Sequence, residues 1–578
     1  MGSRVSKTLL SRGFFPKELP QVFSSESFAA CIAKLRARKF GEFERKSSAW
    51  TSCDTYSFPH SKVGRRTASI PNPQPFFALA ELISKNWKSI QEIYDESSFS
   101  FSRPRFNSSA RAVSSSDFEG YRESLVTRAS GYSYVLHADF ARYFPTIYTH
   151  AIEWAVHGKA KSKSNLKKKI ASREYLWASD VDAIVRFMQD GQTQGLPIGP
   201  DTSYIIAEIM GAAIDREFGR LFRAAVHGSR QIDDYALFFE SRSDADRAHA
   251  MLARAAAEFQ IALNDEKSYV DSLRGVSKED WVYQLSEFNG TSVQEQRREI
   301  HRFTDLAITI AEGRGNAAAA KYAARVLARH KIHQKNIGLF VACMLRLVAY
   351  SPDALPLFVD AIIGYVRVGY KVNKEPIAIY LRSVLPRSIE LGHDKEAIWL
   401  LWLGICLSMK IDVEVINAVA SSACSQVILL AKLAEERGLC TGVKQSVIGG
   451  RVSAEDFRSK NWLLAYEGSV RGWFGWSPED VQGSNLTQLA NNGVRFLDLS
   501  AVNGSRINAR RNVKAFPANA DALPEVEGDD AEINDWDGID FKYLDELLDI
   551  DMDPDSYGSM ADRSEEEEEE EEEEVGLY

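Results

Sequence analysis

The sequence predicts a mixed α+β body over residues 1–295, an all-α region over 296–500 and a disordered, polar to acidic tail over 501–578. Three observations carry this division. The first region interleaves short β-rich runs, such as YSYVLHADF from Tyr132 and YALFFE from Tyr235, with helical stretches, and is punctuated by Pro, Gly and Ser. The second is a succession of apolar, helix-length segments, among them IGLFVACMLRLVAY and KEAIWLLWLGICLSM. Their spacing of roughly 20 residues suits paired helices stacked as a solenoid. The third ends in the run Glu565–Glu574, and a block of like charge buries too little apolar surface to fold.

Composition agrees with several domains. At 578 residues the chain exceeds what one core normally supports. A hydrophobic share of 45% with 26% charged residues is ordinary for a soluble globular protein. Six scattered cysteines show no paired metal-ligand spacing, which points to a reducing cytoplasm. The longest apolar run, Ala397–Leu407, is too short to span a bilayer, so no membrane partner is expected. The net charge of −10 conceals an asymmetry: residues 521–578 carry 26 acidic and two basic residues, which leaves the rest of the chain basic. A basic body suits phosphate-rich partners.

The stretch RQIDDYALFF sets Asp233 and Asp234 between Ile232 and an aromatic, apolar exit. Alone, such a pair reads as a turn, since Asp tolerates turn geometry. A hairpin tip of this kind also presents carboxylate oxygens to Mg²⁺, and that reading requires another acid elsewhere. Asp139 supplies it, at the end of the strand-like run before Phe140.

These residues carry a resemblance. DFARYF (Asp139–Phe144) resembles motif A of the reverse transcriptase palm, QGLPIGPDTS (Gln194–Ser203) motif B, QIDD (Gln231–Asp234) motif C, and LNDEKS (Leu263–Ser268) motif D. Upstream, KVGRRTASIP (Lys62–Pro71) resembles the fingers motif. RGFFPKELPQVFSSESFA, GLPIGPDTSYIIAE and WLLAYEGSVRGW are similar to the AbiK-like abortive-infection reverse transcriptases of bacterial anti-phage defence. The resemblance implies palm and fingers over 1–295 and a HEAT-like helical repeat domain in place of a thumb over 296–500.

The resemblance further implies a Mg²⁺-dependent DNA polymerase in which Asp139, Asp233, Asp234 and the carbonyl of Phe140 hold metal. Lys62 and Arg66 would hold the triphosphate of a dNTP, where a guanidinium grips two phosphate oxygens at once. Lys267 would protonate the leaving pyrophosphate or only neutralise its charge. Phe144 stands where the family carries a steric gate against ribose, and Pro197 and Gly199 would shape the floor of the nucleotide pocket. Gln231 and Ile198 depart from the usual Tyr and Gln of the wider group. The implied synthesis is template-independent and primed by a protein hydroxyl, giving DNA covalently attached to a homo-oligomeric protein. Two alternatives are templated copying of a partner non-coding RNA and a non-catalytic nucleic-acid-binding scaffold.

Overall fold

Aromatic and aliphatic residues favour strands such as Tyr134–Ala138 and Asp234–Phe239. β1 (Asp54–Pro59) and β2 (Arg65–Ile70) make an antiparallel hairpin with Asp54 opposite Ile70. β3 (Arg105–Phe106) and β4 (Val113–Ser114) make a second, minimal one. β5 (Tyr134–Ala138), β6 (His227–Gln231), β7 (Asp234–Phe239) and β8 (Tyr269–Ser272) form an antiparallel sheet in the order β6-β7-β5-β8. This computed structural model describes residues 2–35, 50–60, 64–106, 111–114, 118–273, 280–285, 288, 290–313, 317–443, 452–478 and 485–502. Lys62 and the acidic tail, including Glu565–Glu574, lie outside the described residues.

The four-stranded sheet is covered on both faces. Leu136, Ala138, Tyr235, Leu237 and Phe239 join the main core, against the helices Asp201–Phe222 and Arg242–Ala257. Val135, Ala236 and Phe238 form a small separate cluster with Leu125 and Ala129 of the helix Phe118–Ala129. Sequence alternation puts Tyr132 on the face of Leu136, but the strand begins only at Tyr134. Tyr132 follows Gly131, whose φ is +91°, and packs in the small cluster instead, its ring 6.4 Å from Phe238.

From Val293 onward the described chain is helical. Val293–Gly313, Ala318–Arg329, Ile337–Tyr350, Leu355–Arg367, Glu375–Glu390, Asp394–Cys406, Val413–Ser421 and Ser425–Glu436 pack mainly on neighbours one or two helices away, as stacked pairs do. The main core runs without a break from Val5 to Ala501. The helix Trp462–Val470 turns back to the first region, where Trp462 Nε1 donates to the Ile70 carbonyl at 3.0 Å. Residues 496–498 pair with the N-terminal segment: Ser24 N donates to Phe496 O at 2.8 Å and Asp498 N to Val22 O at 2.7 Å. Among the described residues, no helix is long and apolar enough to cross a membrane.

The β1–β2 hairpin is docked on the helical region. Arg65 donates to both carboxylate oxygens of Glu396 at 2.8 Å, and Ser57 N donates to Asp394 Oδ2 at 2.8 Å. Asp54, 1% exposed, accepts from Gln426 Nε2 at 3.1 Å. Burial pushes its carboxyl up to about 7, against the hydrogen bond from Gln426.

A folded-state pKa above the unfolded value means that the native state keeps a proton the unfolded chain loses. The contribution of Asp54 to stability therefore falls as pH rises from about 4 to about 7. Asp54→Asn is expected to remove that fall. Its urea midpoint should match the parent near pH 4 and exceed it at pH 8, by on the order of a few kcal/mol in stability. A difference equal at both pH values would show that Asp54 does not titrate in this window.

Candidate active site

Three acidic residues, Asp139, Asp233 and Asp234, stand at neighbouring strand ends of the sheet. Ala138 faces Tyr235 in the β5–β7 register, so Asp139 and Asp234 are the next residues outward on adjacent strands. Ile232 and Asp233 form the two-residue turn between β6 and β7. The Leu263–Ser268 segment closes the far side. Asn264 N donates to Asp139 O at 2.8 Å and Ala141 N to Ala262 O at 3.0 Å, flanking the Phe140–Leu263 bridge without using the Phe140 carbonyl. Lys267 Nζ lies 3.5 Å from Asp139 Oδ2. Burial raises the Asp139 carboxyl above the ordinary range, and the Lys267 ammonium opposes that rise.

The turn is strained. Ile232 has φ +58°, a region that a β-branched residue avoids because its Cβ crowds the following carbonyl, at roughly 1–2 kcal/mol. Such conformations persist where surrounding contacts over-determine them. Here the contacts come from Arg230, which is 0% exposed. Its guanidinium donates to Glu208 Oε1 at 2.7 Å and Oε2 at 3.1 Å, and its Nε to Asp215 Oδ2 at 3.0 Å. Sequence reasoning assigned no role to these three residues. The available signal was two acids seven residues apart in the otherwise apolar run AEIMGAAID, a spacing that puts both on one helix face.

The residues expected to meet a nucleotide are placed as follows. Arg66 is half-buried on β2, opposite Phe58, while its neighbour Arg65 is the one engaged by Glu396. Ser69 N donates to Ile198 O at 2.8 Å, and Leu196 N to Phe144 O at 2.9 Å, so the 194–200 loop joins β2 to Phe144. Phe144 is half-buried, with its ring edge-on to Tyr143 at 5.9 Å. Pro197 is buried. Gly199 has φ +124°, and a Cβ there would lie 2.5 Å from Pro16 Cγ. The close approach that requires glycine is thus made by the N-terminal segment.

Mg²⁺ is a hard cation that takes oxygen ligands, commonly one or two carboxylates completed by water and substrate phosphates. Asp139 Oδ1 is buried without a hydrogen-bond partner, as is Gln231 Oε1 at the hairpin. An orphaned carboxylate oxygen beside two further acids fits such an ion in donor chemistry. Among the described residues no group of three or more His, Cys, Asp or Glu side chains is arranged to hold a metal ion.

No protein-family model and no curated protein matches the sequence. Among solved structures, apo telomerase from Candida tropicalis is similar at 10% identity, covering 72% of this chain and 73% of that one, with a TM-score of 0.33. Telomerase from Candida tropicalis in complex with a TWJ fragment of telomeric RNA is similar at 11% identity, over 66% of this chain and 64% of that one, with a TM-score of 0.28. Telomerase from Candida albicans in complex with a TWJ fragment of telomeric RNA gives 11%, 59% and 67%, with a TM-score of 0.27.

Proposed function

We propose that the chain is a reverse-transcriptase-type nucleotidyltransferase that polymerises dNTPs with Mg²⁺ and serves anti-phage defence. One observation carries the polymerase reading: Asp139, with its unpartnered oxygen, stands at a strand end beside the Asp233–Asp234 hairpin tip. The defence role, the AbiK-like affiliation, the HEAT-like character of residues 296–500 and self-assembly rest on the motif resemblance.

In this reading Asp139 and Asp233 hold Mg²⁺, with Asp234 and the Phe140 carbonyl beside them. An ion held there would supply stabilisation of the charge on the attacking and leaving oxygens. A priming hydroxyl passes its proton to water and bonds to the α-phosphorus, while the bond from that phosphorus to the bridging oxygen breaks and pyrophosphate leaves with that electron pair. Lys267 lies against Asp139, a position from which an ammonium gives a proton to pyrophosphate or offsets its charge. Arg66 grips the triphosphate, and the 194–200 loop forms the pocket wall next to Phe144.

Incubation of the full chain with Mg²⁺ and labelled dNTPs, without added nucleic acid, tests this reading. Label that stays on the protein and is released by protease marks template-independent, protein-primed synthesis. Label that appears only when RNA is added marks templated copying. No incorporation under either condition overturns the polymerase reading and favours a binding scaffold.

Sugar choice gives a second measurement. If the Phe144 ring occupies the space a ribose 2′-OH would need, Phe144→Ala is expected to admit ATP while dATP use persists within about tenfold. Unchanged discrimination in single-nucleotide incorporation would assign Phe144 to packing alone.

A further inference from the structure

Directly behind the Asp233 turn lies a buried group of charges for which the chemistry above has no use. Arg230 is fully enclosed with Glu208 and Asp215, one positive charge against two negative. Buried ion groups of this kind are poor stabilisers, because apolar side chains of similar volume often serve as well or better. Their use lies in what they hold.

Arg230 Nη1 donates to the Ile232 carbonyl at 2.7 Å. Ile232 N donates to Ser102 Oγ at 2.7 Å, and Ser102 Oγ donates in turn to Glu208 Oε2 at 3.2 Å. Both backbone polar groups of the left-handed residue are therefore tied, through a closed ring, to the same carboxylate. The surroundings are built for this ring. Ser97 Oγ donates to Asp215 Oδ2 at 2.6 Å, and Tyr235 Oη donates to Asp215 Oδ1 at 2.6 Å. Gly211 makes room, since a Cβ there would lie 2.5 Å from Arg230 Nη1.

We propose that Arg230, Glu208, Asp215 and Ser102 form a positioning frame for Asp233. They hold Ile232 in its left-handed conformation and so set the direction in which the next residue presents its carboxylate. Arg230 acts through Ile232 and is a positioning residue. The inference rests on the reading of Asp233 as a metal-holding group.

Because Arg230 variants leave two buried acids and are prone to misfold, the test uses Ser102→Ala and Ile232→Gly in the full chain. The first removes one anchor, and the second makes the left-handed conformation available without enforcing it. Asp233→Asn is the control. Binding of Mn²⁺ alone is read by electron paramagnetic resonance, dNTP incorporation is resolved into kcat and KM, and thermal unfolding reports integrity. Both variants are expected to remain folded with a cooperative transition lowered by a few degrees, to bind Mn²⁺ on the order of tenfold more weakly, and to lose kcat with dNTP KM nearly unchanged. Parent-like Mn²⁺ binding and kcat in both, with Asp233→Asn impaired, overturns the frame alone. Parent-like Mn²⁺ binding in Asp233→Asn overturns the reading beneath it, and the frame as a device for that site falls with it.

Discussion

Asp233→Asn and Asp139→Asn are each expected to lower dNTP incorporation by roughly a thousandfold, about 4 kcal/mol of transition-state stabilisation. An amide keeps the shape of the side chain and loses the charge that would hold Mg²⁺. The two substitutions should part company in stability. Asp233 is half-buried in the turn, so its replacement leaves the melting temperature near the parent's. Asp139 is 4% exposed and burial disfavours its charge, so Asn there is expected to melt at or above the parent temperature while incorporation collapses. A residue kept for stability would show the opposite pairing. Near-parental incorporation by either variant, measured with saturating dNTP and Mg²⁺, would sink the polymerase assignment.

Trp462→Ala should produce the largest loss of stability, about 3–5 kcal/mol in urea unfolding. Trp462 is 0% exposed, with ring centroids 6.1 Å from Phe14 and 5.4 Å from Phe496. It therefore joins three segments far apart in the chain. Its Nε1 also satisfies the carbonyl of Ile70, the last residue of β2. Trp462→Phe keeps much of the apolar contact and leaves that carbonyl unpaired, so about 1–3 kcal/mol is expected. A loss below about 1 kcal/mol for the alanine variant would mean that the Trp462–Val470 helix contributes little to holding the hairpin.

Some of this was legible in one dimension. The helices Ile337–Tyr350, Leu355–Arg367 and Asp394–Cys406 follow the apolar segments read from the sequence, because each carries enough apolar residues to need burial whatever its partner. The candidate acids were legible for a related reason: Asp139 ends a strand-like run and Asp233–Asp234 precedes the apolar YALFF, and both are local signals.

The rest depended on contacts between distant residues. KVGRRTASIP contains two adjacent arginines that local sequence cannot tell apart, and only the approach of Glu396, 331 residues away, engages Arg65. Gly199 is crowded by Pro16 of the N-terminal segment, an approach that no local pattern announces. Glu208 and Asp215 are written like any acids on a helix, although the fold buries them around Arg230.

Periodicity and turn chemistry act over a few residues, so they were enough to locate the long helices and the acids at the ends of apolar runs. Tertiary structure alone decided which charges are paired, which glycine is crowded and what holds Ile232 in place. Each of those depends on what packs against a side chain, and a local pattern records the need for burial without naming the neighbour that supplies it.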